Sequence, residues 1–267
     1  DVAMIAISES DETESLLKRL KGLDWPRPVL NPADSILELS RDRLWRKLQG
    51  VPGLVLPPTV RVARETVQTI ASGAAALGEV LPEGGFPLVV RPVGSHAGKA
   101  LARIDDARSL KIYLAETAAD SFYLSRFIDY AGADGHFRKY RIALFDGAPY
   151  LAHMAVGDHW MVHYLNAGMA ESPAKRQEEA EAMAGFDQGF AARHATALGE
   201  ISRRLGLDYY ALDCAETRDG RLLVFEADVG MIVHALDPVE LYPYKRPHMQ
   251  TLFAAFEAML RKKSLAG

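Results

Sequence analysis

The sequence holds a single cysteine, Cys214, so it can form no internal disulfide and no thiolate cage for a metal. It has no apolar run long enough to cross a bilayer and no signal-peptide pattern at its start. It also lacks a basic excess. Lys and Arg number 31 against 35 Asp and Glu, a formal net charge of -4, which leaves nothing to neutralise a nucleic-acid backbone. Internal repeats and low-complexity tracts are missing too. These absences exclude disulfide-stapled scaffolds, membrane spanners and nucleic-acid binders, and make a cytoplasmic protein the expectation. Hydrophobic residues at 49% and charged residues at 25% are ordinary for a globular chain, and 267 residues suffice for one large domain or two modest ones. The chain opens on Asp1 rather than Met, as a piece of a longer protein would.

Val2 to Ile7 reads as a strand, Thr13 to Lys21 as a helix stopped by Gly22, and Pro28 to Leu30 as a second strand. This partial βαβ piece, residues 1–33, is too small to bury both of its faces alone and is expected to be the remnant of a larger N-terminal domain. Asp34 is placed to cap a helix running to Gln49, with Gly50 as its stop. Pro52, Pro57 and Pro58 break the chain before a helix near Glu65 to Leu77. From Phe86 short apolar runs separated by Gly, Asp and Pro predict an antiparallel sheet. Helices are expected at about Asp105 to Ala118, Phe186 to Leu205 and His248 to Lys263. Strands and helices mix without strict alternation, which predicts α+β.

The segment from Tyr210 to Asp228 carries the strongest chemical signal. Asp219-Gly220 between two strand-like runs marks a hairpin, because both residues tolerate positive φ. A two-residue turn brings Asp213 opposite Glu226, whereas a three-residue loop shifts the pairing by one. Asp228 shares the face of Glu226, since side chains repeat every second residue. Three carboxylates on one face repel unless a cation sits among them, and a hard divalent ion such as Mg2+ is favoured over a polar strand end with solvated acids. Glu216 faces the other way and is expected to be solvated.

Two further segments offer positive charge. The run from Phe86 through Arg91 enters a loop containing Gly94, Ser95, His96, Gly98 and Lys99, where glycines let backbone N–H groups approach phosphate oxygens. The spacing is one residue short of a Walker loop and Ala100 stands where Ser or Thr would touch Mg2+, so the residues alone leave a phosphate cover and a plain loop both open. A second hairpin turns at Asp146-Gly147 and puts Lys139 and Arg141 on one strand face, where surface solvation is the plain alternative but paired positive charges suit a polyphosphate or an acyl phosphate. Pro149 weakens that register. His159 and His163 have i,i+4 spacing, but no Glu lies between them and Gly157-Asp158 suggests a turn, so packing histidines are favoured over a zinc site. Tyr242 to Pro247 is a rigid aromatic and basic loop. Core packing is favoured for it over a clamp on an acidic substrate.

The order of these pieces resembles the ATP-grasp superfamily, in particular the branch of glutathione synthetase and the ligase that adds glutamates to ribosomal protein S6. The resemblance runs from about Asn31 to the last helix. It implies two α+β lobes with the nucleotide between them: an ATP-grasp domain over 34–267, with a small lobe at about 80–130 inserted. It implies ATP and Mg2+ as cofactors. Arg43 and Arg91 would contact phosphates, Gly94, Ser95, His96, Gly98 and Lys99 would form the lid, and Arg126, Phe127 and Ile128 would hold adenine through backbone. Arg141, with Lys139 beside it, would stabilise the transferring phosphate, and Asp213, Glu226 and Asp228 would bind metal. His163 and Asn166 lie where the family positions its substrate, and Arg246 is a further substrate candidate. The chain departs from the pattern in having arginines for two lysines, Asp228 for an Asn, and no Pro-Gly stretch after it. The resemblance implies a ligase joining a small-molecule or peptide carboxylate to an amine through an acyl phosphate. A small-molecule kinase and a non-catalytic nucleotide-binding module are the alternatives.

Overall fold

The computed structural model describes residues 1–95 and 98–265. Strand β1 (Ala3–Met4), helix α1 (Glu14–Lys21) and strand β2 (Val29–Leu30) open the chain, and β1 pairs parallel with β2. Helices α2 (Ala33–Leu37) and α3 (Arg41–Leu48) follow, then strands β3 (Leu54–Val55) and β4 (Thr59–Ala63) and helices α4 (Arg64–Ala71) and α5 (Leu77–Val80). Next come β5 (Leu88–Pro92), β6 (Ala102–Ile104), α6 (Ala107–Glu116) and β7 (Ser121–Arg126). The remainder comprises β8 (Phe137–Phe145), β9 (Ala148–Gly157), α7 (Pro173–Ala184), α8 (Ala195–Leu205), β10 (Tyr209–Glu216), β11 (Leu222–Asp228) and α9 (Lys245–Leu265). The α+β class expected from the sequence is what the chain adopts.

The chain divides into two compact units. One contains Ser40–Gln49 and Leu56–Asp129. Its sheet has the order β4-β7-β5-β6, antiparallel throughout. Leu88, Val90, Phe122 and Leu124 form its core with Val67 and Ile70 of α4 and Leu110 and Leu114 of α6. The period-2 and period-3.6 patterns meet there, each element offering one apolar face.

The other unit contains Asp1–Leu39, Gly50–Val55 and Tyr130–Gly267. Its sheet runs β3-β11-β10-β8-β9, with only the short β3 parallel to its neighbour. On one face, Ala143, Phe145 and Ala152 pack against Met249, Leu252 and Met259 of α9. Tyr209 stacks on Phe145 with ring centroids 5.5 Å apart. The next residues up that face of β8 are Arg141 and Lys139, so the apolar packing ends where the charged row begins. Pro149 is tolerated because β9 is an edge strand.

Several elements differ from the sequence reading. The helix expected from Asp34 to Gln49 is two helices, broken at Glu38–Ser40. Asp34 does not cap; it lies in the first turn of α2, 3.8 Å from Lys21. The helix near Glu65 stops at Ala71, and that from Phe186 contains a wide turn, Asp187–Ala191, that sets Phe190 against Tyr140 and His194. Helix α7 was not expected, although Ser172 accepts from the Lys175 N–H and Pro173 occupies the first position, both start signals.

Asn31 ties the N-terminal piece to the start of β10. Asn31 is fully buried and takes φ +57°, a left-handed conformation that Asn tolerates better than most residues. Its Oδ1 accepts from the N–H groups of Asp208 and Tyr209 at 3.0 and 2.9 Å, and its own N–H donates to Asp208 Oδ2 at 2.9 Å. Replacing Asn31 by Ala orphans two buried donors and forces a left-handed alanine, an expected loss of about 2–4 kcal/mol. Urea unfolding measures it; a loss under about 0.5 kcal/mol, the scale of a neutral surface change, would show that this contact does not hold the piece.

Candidate active site

Strand register builds a charged row across four strands. Arg141 of β8 pairs with His153 of β9 on one side and with Asp213 of β10 on the other, and Asp213 pairs with Glu226 of β11. Paired residues share a sheet face, so all four side chains emerge together. Lys139 lies on the same face two residues before Arg141, and Asp228 two residues after Glu226.

The pairing of Asp213 with Glu226 is the one the sequence predicts, but it arises by another route. The hairpin loop has three residues: the Thr217 N–H donates to the Arg221 carbonyl at 2.9 Å, and Gly220 takes φ +77°. That loop alone would displace the register by one, as Cys214 opposite Val224 shows. A bulge at Phe225 restores it, so Glu226 meets Asp213. A second bulge at Ala152 follows the Arg141–His153 pair.

Asp213 is the buried centre, 1% exposed. Arg141 grips it bidentately, Nε to Oδ1 at 2.7 Å and Nη2 to Oδ2 at 3.0 Å. Lys139 Nζ lies 2.6 Å from Oδ2. Burial alone would raise the Asp213 pKa, but the Arg141 hydrogen bonds and the Lys139 charge outweigh it and hold the carboxyl well below the usual range. The third edge of the guanidinium, Nη1, donates to the Ile232 carbonyl at 3.1 Å.

Asp228 has a different environment. Its Oδ1 accepts from the Gly230 N–H at 2.9 Å, and the Ser8 hydroxyl is a second neutral donor. Burial, with the Glu226 charge adding to it, raises its pKa despite these donors. Gly230 is required by the close approach: a Cβ there would stand 2.2 Å from Ser8 Oγ. Glu226 and Asp228 are hard carboxylate donors two residues apart on one face, which fits a divalent oxygen-seeking ion. Asp213 fits it less well, since both of its oxygens are already engaged by cations. Among the described residues no group of three or more His, Cys, Asp or Glu is arranged to hold a metal.

The other sequence-predicted residues fall as follows. His163 lies close enough to the row that Lys139 and Arg141 add to burial in lowering its pKa. Asn166 is exposed in a short helical turn, Tyr164–Asn166, and its N–H donates to the His163 carbonyl. His159 lies in a bend rather than a helix, so the i,i+4 histidine pair does not form. Glu216, expected to be solvated, is instead ion-paired with Arg193 at 2.9 Å and lies 3.3 Å from His194.

In the smaller unit Arg91 is buried on β5, with Nε donating to Ser95 Oγ at 3.2 Å and Nη2 to the Ser95 carbonyl. It thus braces the loop in which Gly94 and Gly98 take φ +75° and +74° and Lys99 is exposed. His96 lies outside the described residues. Arg43 is half-buried on α3. Arg126 ends β7 and lies 3.5 Å from Glu83, the Phe127 N–H donates to the Pro87 carbonyl, and Ile128 follows in irregular backbone.

Two features were not legible in the sequence. His153 joins the row only through the β8–β9 register. A buried network lies behind it: Lys245, 4% exposed, is 3.3 Å from Glu179 and 3.0 Å from Asp237 and donates to the Tyr164 hydroxyl. The Tyr164 and Tyr244 hydroxyls donate to Glu179 Oε2 at 2.9 and 2.6 Å. Tyr164 in turn packs on His153, with ring centroids 4.7 Å apart.

Comparison with solved structures is made on this geometry. An ATP-grasp RimK-domain protein from Sphaerobacter thermophilus matches at 18% identity over 99% of this chain and 81% of that one, with a TM-score of 0.53. D-alanine–D-alanine ligase from Bacillus anthracis, solved with ATP, matches at 16% over 100% and 81%, TM-score 0.55. VanG D-Ala:D-Ser ligase from Enterococcus faecalis matches at 14% over 96% and 73%, TM-score 0.55. No protein-family model matches the sequence, and a search of curated proteins finds no relative. The chain has the ATP-grasp fold. No helix among the described residues is long and apolar enough to cross a membrane.

His153 supplies a pH test of the row. Burial, reinforced by Arg141 and Lys245, drops its pKa from 6.5 to about 3. The unfolded chain therefore takes up a proton below pH 6.5 that the folded chain refuses until about pH 3, and stability falls as pH falls through that window. Replacing His153 by Gln should reduce the slope of stability against pH between 6 and 4 by up to about 1.4 kcal/mol per pH unit, one proton's worth. Superimposable stability–pH curves would place His153 in water.

Proposed function

We propose that this protein is an ATP- and magnesium-dependent ligase that joins a carboxylate to an amine through an acyl phosphate. The observation that carries the reading is the row of Arg141, Lys139, Asp213 and Glu226 on one sheet face of a chain with the ATP-grasp fold. The names of two of the solved structures it resembles are those of ligases, which supports the reaction class.

In this reading Arg141 and Lys139 neutralise charge on the phosphate in flight. Asp213 holds both cations in place before the substrate arrives, so little reorganisation is left for the reaction itself. Glu226 and Asp228 would hold Mg2+, which when bound draws charge from the phosphate oxygens. Arg43, Arg91, Ser95 and Lys99 would provide phosphate contacts, with Gly94 and Gly98 letting backbone donors approach. The backbone of Arg126, Phe127 and Ile128 would meet adenine. His163, Asn166 and Arg246 would face the acid and the amine. No side chain here is asked to act as a nucleophile, because the carboxylate supplies the attacking oxygen and the amine completes the displacement.

Isotope transfer tests the reaction type. With an acid substrate labelled with heavy oxygen in its carboxylate, the ligase reading expects one label in the inorganic phosphate and sustained turnover only with an amine present. Phosphate retained on the product would instead identify a kinase, and no turnover with any acid and amine would identify a nucleotide-binding module. Replacing Arg141 by Ala should lower kcat by about a hundredfold or more while the stabilisation conferred by Mg-ATP is largely kept. Formation of AMP and pyrophosphate would sink the proposal, since it requires attack at the α-phosphate.

A further inference from the structure

The first turns of α9 border a cleft of about 320 Å³, at the small end of the roughly 300–1,000 Å³ typical of small-molecule sites. Arg246, Gln250 and Phe253 line one side, at i, i+4 and i+7, and so on a single helix face. Val239 and Tyr242 face them from the loop that follows β11. Phe253 and Val239 remain 41% and 45% exposed as apolar walls of the cleft.

Charge accounting decides what would fit. Lys245 on the floor is already matched by Asp237 and by the fully buried Glu179. Arg246 makes no ion pair among the described residues. The cleft therefore offers one uncommitted guanidinium, with the Gln250 amide one helical turn away, over apolar walls. A guanidinium and an amide suit a planar monoanion. A phosphate, with nearly two charges, would want a second free cation and would meet Asp237 instead. The cleft also touches the charged row through side chains: Lys245 donates to Tyr164, Tyr164 packs on His153, and His153 stands opposite Arg141.

We propose that this cleft binds a small carboxylate carrying an apolar group, with the carboxylate on Arg246 and Gln250 and the apolar group between Phe253, Val239 and Tyr242. The inference rests on the ligase reading only in making the bound acid a substrate; binding itself requires no nucleotide.

The test is calorimetric titration of the full chain with 3-phenylpropionate, 3-phenylpropylamine and L-phenylalanine, without nucleotide. The acid should bind saturably and the amine at least about tenfold more weakly. Replacing Arg246 by Gln should weaken the acid about tenfold, and Phe253 by Ala about fivefold, with melting temperatures near that of the unaltered protein since both side chains are exposed. Phenylalanine binding more tightly than the acid supports the site and identifies a zwitterion, with Asp237 receiving the ammonium; weaker binding supports it and identifies a simple acid. An amine that binds as well as the acid, an Arg246→Gln protein with unchanged affinity, or no saturable binding would each overturn the proposal. Thermal shift with Mg-ATP is measured separately. Acid binding without any nucleotide response would leave the cleft standing and remove the ligase reading, and the reverse result would do the opposite.

Discussion

A carboxylate with 1% of its surface exposed is costly to ionise unless its desolvation is offset by charge and hydrogen bonds, and Asp213 has both. Arg141 covers both oxygens and Lys139 reaches one of them. The interaction works in both directions, because the two cations sit on a face whose lower half is aromatic and apolar. Removing Asp213 would leave two partly buried cations without their match. It also fixes the relation of β8 to β10 more firmly than backbone pairing alone, since a shift of one residue would turn Arg141 to the opposite face. Glu226 and His153 join the row through the flanking β10–β11 and β8–β9 registers, so the triad is the centre of the row and the two bulges set its ends.

How much of this was legible depended on the range of the interaction. Alternation within β8 placed Lys139 and Arg141 on a common face correctly, because parity is local. The match of Asp213 with Glu226 was also read correctly, although through a turn the chain does not use: the three-residue loop shifts the register and the Phe225 bulge shifts it back. Bulges of this kind have no clear sequence mark, and so the place of His153 beside Arg141 could not be read. Helix α7 carried legible start signals in Ser172 and Pro173 and could have been found. Lys245 could not have been, since a buried lysine is known by its partners, and Glu179 and Asp237 come from a different helix and from the preceding loop.

The paired bulges have a physical consequence beyond register. Each adds an unpaired residue and increases local twist just where the charged row crosses the sheet. The row thus crosses the sheet beside two irregularities of its ladder. Val229 to Tyr244 contains no helix or strand and is tied down at both ends, by Arg141 to the Ile232 carbonyl and by Lys245 to Asp237. Ile232 and Leu236 remain well exposed between those ties. Apolar burial holds the loop as well, at Val229 and Tyr242 and where Val233 packs against the core beneath α9.

The acids of the row therefore divide into two kinds. Asp213 is satisfied by cations and stays ionised through ordinary pH, held between Arg141 and Lys139. Asp228 accepts from neutral donors, and its pKa rises through burial and the charge of Glu226, so that end of the row favours added positive charge. Arg141 is the hinge between the two kinds. Asp213 takes Nε and Nη2, which leaves Nη1 as the edge an incoming anion meets, and there the Ile232 carbonyl already sits. The outer edge of Arg141 is therefore engaged by the backbone of the same loop that lines the α9 cleft. The charged row and the loop that lines the cleft thus share this one guanidinium.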